Sequence, residues 1–216
     1  MELNPLDLGI WAMGAAVIAV VMRGNLWRAW LCLWPTSMVL EADAPAGQVK
    51  LPEELEKPDA ELRALGLISI GSHLERPRFG PETFSYDYAH PTEKCFATLY
   101  VGRTGAPRLY FLTPTSGGGF VITANHRRAA REIKGRYLSG ALESLPASRV
   151  FTAHLRRVSQ VGTPQAELTQ EGRLAAGRAW FAGHGNLEVR QQNALGLLWT
   201  VGTVGMVAAA IFGRRS

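Results

Sequence analysis

The sequence predicts an α+β protein that is held in a membrane by a helix at each end. Two uncharged, apolar runs lie near the ends of the 216-residue chain, at residues 8–22 and 194–212. Between them, strand-like segments with short glycine-rich connections are followed by helical patterns, which is typical of a sheet covered by helices. The chain is 47% hydrophobic and only 19% charged, which is apolar for a globular protein of this length.

The C-terminal run, residues 194–212, is long enough to form a membrane span. At a rise of about 1.5 Å per residue, a helix over this run covers nearly all of the ~30 Å hydrocarbon layer. Arg214 and Arg215 follow it directly. We therefore predict a C-terminal transmembrane helix with a basic tail over residues 191–216.

The N-terminal run, residues 8–22, is shorter, so a buried core helix and a signal peptide are its alternatives. Glu2 and Asp7 precede the run where a secretory signal normally carries Lys or Arg. A second signal, beginning at Met22 and cleaved after "ADA" at 42–44, would contain an arginine and a proline in its apolar region. We predict an N-terminal transmembrane helix with a tryptophan-rich extension over residues 1–34.

Three of the six tryptophans lie in that extension, where the membrane would meet water. In a helix that continues past residue 22, their spacing places them on one face with Leu31. Indole favours the headgroup level, and arginine reaches lipid phosphates from there. The predicted interface residues are Arg23, Trp27, Arg28, Trp30 and Trp34. The alternative is that this face belongs to the core of the following domain.

Positive charge predicts that the middle of the chain is cytoplasmic. Arg23 and Arg28 follow the first run, and Arg173, Arg178 and Arg190 precede the second. The two cysteines, Cys32 and Cys95, form no disulfide framework, and the sequence has no N-x-S/T acceptor. The predicted location is the cell membrane, with two spans. Small-residue pairs, Gly205 with Ala209 and Ala12 with Ala16, predict that the spans pack on each other or on a second copy.

The middle is predicted as a linker over residues 35–57 and a domain over residues 58–190. A short helix at 58–65 leads into an antiparallel meander of four to five strands with short connections. The predicted strands are 67–72, 83–89, 95–101, 108–113 and 120–123. Helices are predicted to cover one face of the sheet, and they begin at His126, Pro146 and Thr163; a further helix is capped by Asn186 and runs into the second span.

The candidates for acid–base chemistry are histidines and one aspartate. The five histidines are His73, His90, His126, His154 and His184. None has a metal-ligand spacing, so we predict no metal and no cofactor. The catalytic candidates are His90, His154 and Asp87. The loop "TSGGG" at 115–119 lacks the Lys-Ser/Thr pair of a phosphate-binding loop and is predicted to be a hairpin.

The segment "NHRRAAREIKGR", residues 125–136, is the most informative surface feature. On a helix, Arg127, Arg131 and Lys134 would form one positive stripe. Such a stripe suits anionic lipid headgroups or an acidic protein face. The alternative is a solvated helix face that binds no partner. No nucleic-acid motif accompanies it, so nucleic acid is not an expected partner.

Taken together, these patterns predict a membrane-anchored protein whose α+β domain is a binding or scaffolding module near the bilayer. Its partners would be membrane lipids, and a protein partner or second copy bound through the spans. The alternative is a membrane-tethered enzyme that uses a histidine as acid or base on a membrane-proximal or phosphorylated substrate.

Overall fold

The computed structural model of the protein describes residues 5–212, and they divide into two compact units. The helical unit comprises the chain up to Met38, the segment Pro77–Pro81 and the chain from Asn186 onward. The sheet unit comprises Val39–Arg76 and Glu82–Gly185. Each unit is described below by itself.

The sheet unit is built on an eight-stranded, mostly antiparallel sheet, which confirms the predicted α+β class. The strands are β1 Val39–Pro45, β2 Ile68–Arg76, β3 Thr83–His90, β4 Cys95–Val101, β5 Pro107–Thr115, β6 Gly119–Ala124, β7 Arg131–Ile133 and β8 Tyr137–Ala141. Their order is β1-β2-β3-β4-β5-β6-β8-β7, and only β6 and β8 are parallel neighbours. Strands β2 to β6 are the predicted meander, because their alternation is strong and their connections are short.

The sheet is larger than predicted because strands β1, β7 and β8 lack an alternating apolar pattern. Residues 35–57, predicted as a linker, contain the 3-10 turn Pro35–Ser37, strand β1 and the start of a helix. Along β1 only Leu40 is buried, since this strand lies at the edge of the sheet. Strand β7 has three residues and also lies at an edge.

Helices lie on both faces of the sheet, whereas the sequence predicted them on one. They are α2 Glu53–Ala64, α3 Ala147–Val161 and α4 Gln170–Ala182. Side chains of α2 and α3 share one apolar core with β3, β4 and β5, through residues such as Leu62, Phe111 and Phe151. Arg173 of α4 instead contacts Thr98 and Tyr110, which point to the opposite face.

The helix predicted from His126 to Lys134 does not exist. Asn125 does not cap a helix there; its backbone N–H and its side-chain oxygen both bond to Leu109, which continues the pairing of β6 with β5. Further on, Arg131–Ile133 pairs with β8 as strand β7. Arg127, Arg131 and Lys134 therefore do not form a helical stripe, although they still belong to one short cationic stretch.

The helix predicted to begin at Thr163 begins seven residues later, at Gln170. Thr169 is its N-cap, and the Thr169 side chain accepts a hydrogen bond from the Gly172 N–H. Residues 163–165 are instead extended beside the end of β5, where Ser116 N–H donates to the Thr163 carbonyl. The predicted helices at 58–65 and 146–158 correspond to α2, which begins earlier, and α3.

The helical unit contains two long helices, α1 Pro5–Leu33 and α5 Gly185–Phe212. Gly196 of α5 packs against Arg28 of α1 so closely that a Cβ at Gly196 would clash with the Arg28 side chain. Asn193, Thr200 and Thr203 are also buried and share the helix face of Gly196. Gly205 is exposed and has no neighbour within 4 Å of an added Cβ.

Within residues 5–212, one helix is long and apolar enough to cross a membrane, over Trp11–Leu33 of α1. The second predicted span does not meet that criterion over the described part of α5.

The tryptophans of the predicted interface pack partly within the helical unit. Trp30 lies edge-on to Phe79, with 5.6 Å between ring centroids, and the Arg78 guanidinium lies over the Trp30 ring. Trp34 is half exposed, and its ring centroid lies 4.4 Å from that of Trp30 with the planes tilted by 36°. Arg23 is exposed, and the Arg28 guanidinium lies 5.7 Å from the centre of the Trp27 ring.

Candidate functional site

The structure brings His73 and Asp87 together inside the sheet unit. His73 on β2 and Asp87 on β3 are fully buried, and His73 Nδ1 lies 2.5 Å from Asp87 Oδ2. On the other side of the ring, His73 Nε2 lies 3.3 Å from Glu75 Oε1. The imidazole is therefore held between two carboxylates.

Arg173 of α4 completes this cluster. We define the buried ionic cluster as Glu75, His73, Asp87 and Arg173, of which only the Glu75 side chain is partly exposed, at 23%. Arg173 Nε lies 3.3 Å from Asp87 Oδ1 and donates at 3.0 Å to Thr98 Oγ1. Arg173 Nη2 donates to the Tyr110 hydroxyl at 2.5 Å. Asp87, Thr98 and Tyr110 occupy one row across β3, β4 and β5, so the sheet register itself aligns these partners.

The charges of the buried ionic cluster balance when His73 is protonated. Burial disfavours the imidazolium, but the charge of Asp87 and hydrogen bonds to Asp87 and Glu75 outweigh it and raise the pKa of His73. Burial likewise opposes ionisation of Glu75, yet the hydrogen bond and charge of His73 hold the Glu75 pKa below its ordinary value. Both imidazole nitrogens then donate hydrogen bonds, so neither carries a lone pair with which to accept a proton.

The remaining histidines of the predicted chemistry lie on the opposite face of the sheet. His154 on α3 is fully buried, with Nε2 at 2.8 Å from Thr113 Oγ1 and Nδ1 at 3.1 Å from Thr123 Oγ1. Burial, with the charge of Arg157, lowers the pKa of His154 to about 3. His90 stacks on Phe151 at 5.3 Å and accepts a hydrogen bond from the Glu93 N–H.

The structure therefore does not join the three catalytic candidates into one site. Asp87 contacts His73 rather than His90 or His154. An open groove of about 510 Å³ lies between β2 and the segment before α2, and its lining includes Asp59 and Arg63 but none of these candidates. Among residues 5–212, no group of three or more His, Cys, Asp or Glu is placed to hold a metal ion.

The second candidate site is the basic segment, defined as residues 126–136. It contains five cationic side chains and one acid, Glu132. The cationic residues are Arg127, Arg128, Arg131, Lys134 and Arg136. No ion pair joins Arg127, Arg131, Lys134 or Arg136 to an acid within the part of the chain that the structure describes.

Arg128 is held at the inner side of the basic segment by β8 and α4. Arg128 Nε donates at 2.9 Å to Ser139 Oγ, and its guanidinium lies 4.9 Å from the centre of the Trp180 ring. Trp180 Nε1 in turn donates at 3.0 Å to the Tyr137 hydroxyl. Because α4 and β8 fix Arg128, the segment has a defined conformation on the α4 face of the sheet.

Sequence reasoning found the basic segment but missed most of the buried ionic cluster. Glu75, Tyr110 and Arg173 are far apart in sequence, and the strand register together with the placement of α4 brings them together. The alternation of Asp87 with Tyr86 and Tyr88 did indicate that Asp87 points away from the apolar core.

No protein-family model matches the chain, and neither does a curated protein or a solved structure.

Proposed function

We propose that this is a membrane-anchored protein whose sheet unit binds an anionic surface at the bilayer, as a binding or scaffolding module. The observation that carries this proposal is the basic segment, where Arg127, Arg131, Lys134 and Arg136 have no acidic partner among the described residues. Uncompensated cations on one exposed segment favour an anionic partner.

Anchoring is supported by Trp11–Leu33, which has the length and composition of a span. We extend this to two spans, with α5 as the second, because α5 packs on α1 at Gly196 and carries an uncharged run from residue 194. Small and hydroxyl side chains on the buried face of α5 are typical of helices that associate in lipid. A second copy or a partner helix is proposed to bind on the exposed faces of these helices.

The sheet unit is proposed to face the cytoplasm. Arg173 does not count toward this orientation, because it lies in the buried ionic cluster. Arg23, which follows the uncharged run 8–22, and Arg190, which precedes the uncharged run of α5, are both exposed. A reporter fused after residue 60 should give a cytoplasmic signal. A periplasmic or lumenal signal there would contradict the orientation.

Anionic lipid is the proposed partner because tethering holds the basic segment near the membrane. Each cation near an anionic surface contributes about 1 kcal/mol, and the attraction fades over a Debye length of about 10 Å at 0.1 M salt. Three to five cations acting together would then hold the segment against the headgroups at low salt. The same physics requires that added salt release it.

Hydrogen–deuterium exchange on the full chain in lipid nanodiscs tests this proposal. Peptides that cover residues 126–137 should exchange more slowly in discs that contain phosphatidylglycerol than in discs of phosphatidylcholine alone. High salt should remove the difference. The triple variant Arg127→Glu, Arg131→Glu, Lys134→Glu should show no difference between the two kinds of disc.

A matched charge reversal elsewhere provides the control. Lys50, Lys57 and Arg149 are exposed and lie outside the basic segment. Their triple replacement by Glu changes the net charge equally and should leave the lipid-dependent protection in place. If the wild-type segment exchanges at the same rate in both discs at low salt, the proposed function is wrong.

A further inference from the structure

Two arginines of the basic segment converge on one serine of β8. Arg131 on β7 pairs with Ser139 in the antiparallel register, and Arg128 Nε donates to Ser139 Oγ. Residues paired in this way project to the same face of a sheet, so Arg131 points to the face that Arg128 and α4 occupy. Glu132, the one acid of the segment, alternates with Arg131 and projects to the other face.

His184 reaches the same face from the end of α4. Its ring stacks on the Tyr137 ring, with centroids 4.9 Å apart and planes within 10°. Tyr137 pairs with Ile133 and lies two residues before Ser139 on β8, so His184 and Arg131 lie over the same strand. Arg136 lies in the turn between β7 and β8, directly before Tyr137, and its charge acts on His184. The Arg136 carbonyl accepts a hydrogen bond from the Phe120 N–H, which fixes the backbone there.

The polar groups of this arrangement are only partly satisfied. Arg131 Nη1 is buried and has no hydrogen-bond partner within residues 5–212. Burial and the nearby charges of Arg131 and Arg136 lower the pKa of His184. The charges of Arg131 and Arg136 therefore disfavour protonation of His184, and a bound anion would offset this effect.

We infer that Arg131, Arg136 and His184 form a binding site for a phosphate group, presented by a lipid headgroup or by a free phosphate ester. The guanidinium groups supply forked donors that match phosphate oxygens, and the imidazole supplies a third donor from a ring already fixed by Tyr137. The inference rests on the proposed function, because it names the chemical group that the anionic surface would present to the sheet unit.

The position of His184 in the chain agrees with a lipid phosphate as one source. His184 directly precedes α5, and the uncharged run of α5 begins at residue 194. The intervening helix, residues 185–193, is about 14 Å long at 1.5 Å per residue. Nine residues therefore separate His184 from the start of that uncharged run, which makes a lipid phosphate one of the two sources to test.

Nuclear magnetic resonance of histidine-labelled full chain in neutral detergent tests the site. Inorganic phosphate at constant pH and constant ionic strength should shift the His184 ring signals along a saturating curve. Chloride at the same ionic strength should not. In Arg131→Gln/Arg136→Gln the saturating shift should be lost, whereas in Arg149→Gln/Arg156→Gln, which removes two exposed cations of α3, it should be unchanged.

Nanodiscs distinguish the two sources of phosphate. A His184 shift in discs with phosphatidic acid but not with phosphatidylcholine, and none with inorganic phosphate, supports the site with a lipid headgroup as its ligand. A shift with inorganic phosphate alone supports it with a free phosphate ester as its ligand. Should Arg131→Gln/Arg136→Gln unfold, Arg136→Gln alone, at an exposed position, should weaken phosphate binding at least several-fold.

The inference is wrong if wild-type His184 responds to neither phosphate source, or responds equally to chloride. Failure of the proposed function is recognised separately. If the basic segment is protected by anionic discs while the His184 signals do not respond to phosphate, the proposed function is supported and the phosphate site is wrong. If the His184 signals respond to phosphate while the basic segment shows no lipid-dependent protection, the phosphate site is supported and binding to the membrane surface is wrong.

Discussion

His73 Nδ1 lies 2.5 Å from Asp87 Oδ2 in the interior of the sheet unit, and neither side chain is exposed to solvent. This contact joins β2 to β3, while Arg173 joins α4 to β3, β4 and β5 through Asp87, Thr98 and Tyr110. A histidine–aspartate pair of this kind resembles half of a catalytic triad. Here both imidazole nitrogens contact carboxylates, so the pair holds the layers of the fold together.

Removal of Asp87 should destabilise the protein strongly. The change Asp87→Ala leaves Arg173 and His73 buried without their shared counter-ion, and broken buried ion pairs typically cost about 3–5 kcal/mol. Thermal unfolding of the full chain in detergent should show a large fall in melting temperature. Asp43→Ala, at an exposed acid of β1, is the control and should have a small effect. Equal effects of the two changes would contradict the role of the buried ionic cluster.

The stability of the wild-type protein should fall as the pH rises above neutrality, because of His73. The pKa of His73 is raised in the folded state above its unfolded value of about 6.5. Its stabilising contribution is therefore fully present below pH ~6.5 and is lost as the pH rises through the folded pKa. Unfolding of wild type and His73→Gln across this range measures the effect. The variant should be less stable and should lack this part of the pH dependence; parallel curves would contradict the assignment.

His154 should act in the opposite pH direction. Burial lowers the pKa of His154 to about 3, so the unfolded chain binds a proton there between pH ~6.5 and ~3 while the folded chain does not. As the pH is lowered through this window, His154 alone should reduce the free energy of unfolding by about 1.4 kcal/mol per pH unit. His154→Gln should show a shallower acid dependence than wild type. A His154 ring signal that titrates near pH 6 in the folded protein would refute the prediction.

Packing of α1 on α5 should depend on Gly196 rather than on Gly205. Leu at Gly196 would clash with the Arg28 side chain, and overpacking of this kind typically costs about 1–3 kcal/mol. Gly205→Leu adds a side chain at an exposed position and should leave the melting temperature within error. Melting of both variants in the same detergent checks this. Lower crosslinking between copies in Gly205→Leu would separately support association through the exposed face of α5.

The sequence was informative where one residue pattern sufficed, as in β2 to β6 and α3. It failed at β1 and β7, because edge strands bury few side chains and show no alternation, and at β8, whose five residues YLSGA show no alternating apolar pattern. Residues 126–134 carry charges at helical spacing, but backbone pairing of Asn125 with Leu109 and of Arg131 with Ser139 prevents a helix there. Hydrogen bonds to neighbouring strands therefore determined the structure of this segment, and the helical spacing of its charges did not.

The candidate sites also differ in how far the sequence predicts them, because some of their residues are neighbours in sequence and others are brought together only by the fold. The five cations of the basic segment are neighbours in sequence, so their shared location needs no fold. His184 joins them only because α4 ends over Tyr137. The partners of His73 depend on the register of β2 and β3 and on the placement of α4, which local patterns do not determine.

Contact between the basic segment and anionic headgroups is the central claim, and lipid-dependent fluorescence quenching measures it most directly. A fluorophore on Glu132→Cys, in a Cys32→Ser background, retains every cation of the segment; a fluorophore on Glu56→Cys of α2 is the matched control. In nanodiscs with headgroup-labelled quencher lipids, the label at position 132 should be quenched more when the discs contain phosphatidylglycerol, and added salt should reverse this. Quenching that is equal in neutral and anionic discs, or insensitive to salt, would contradict the account.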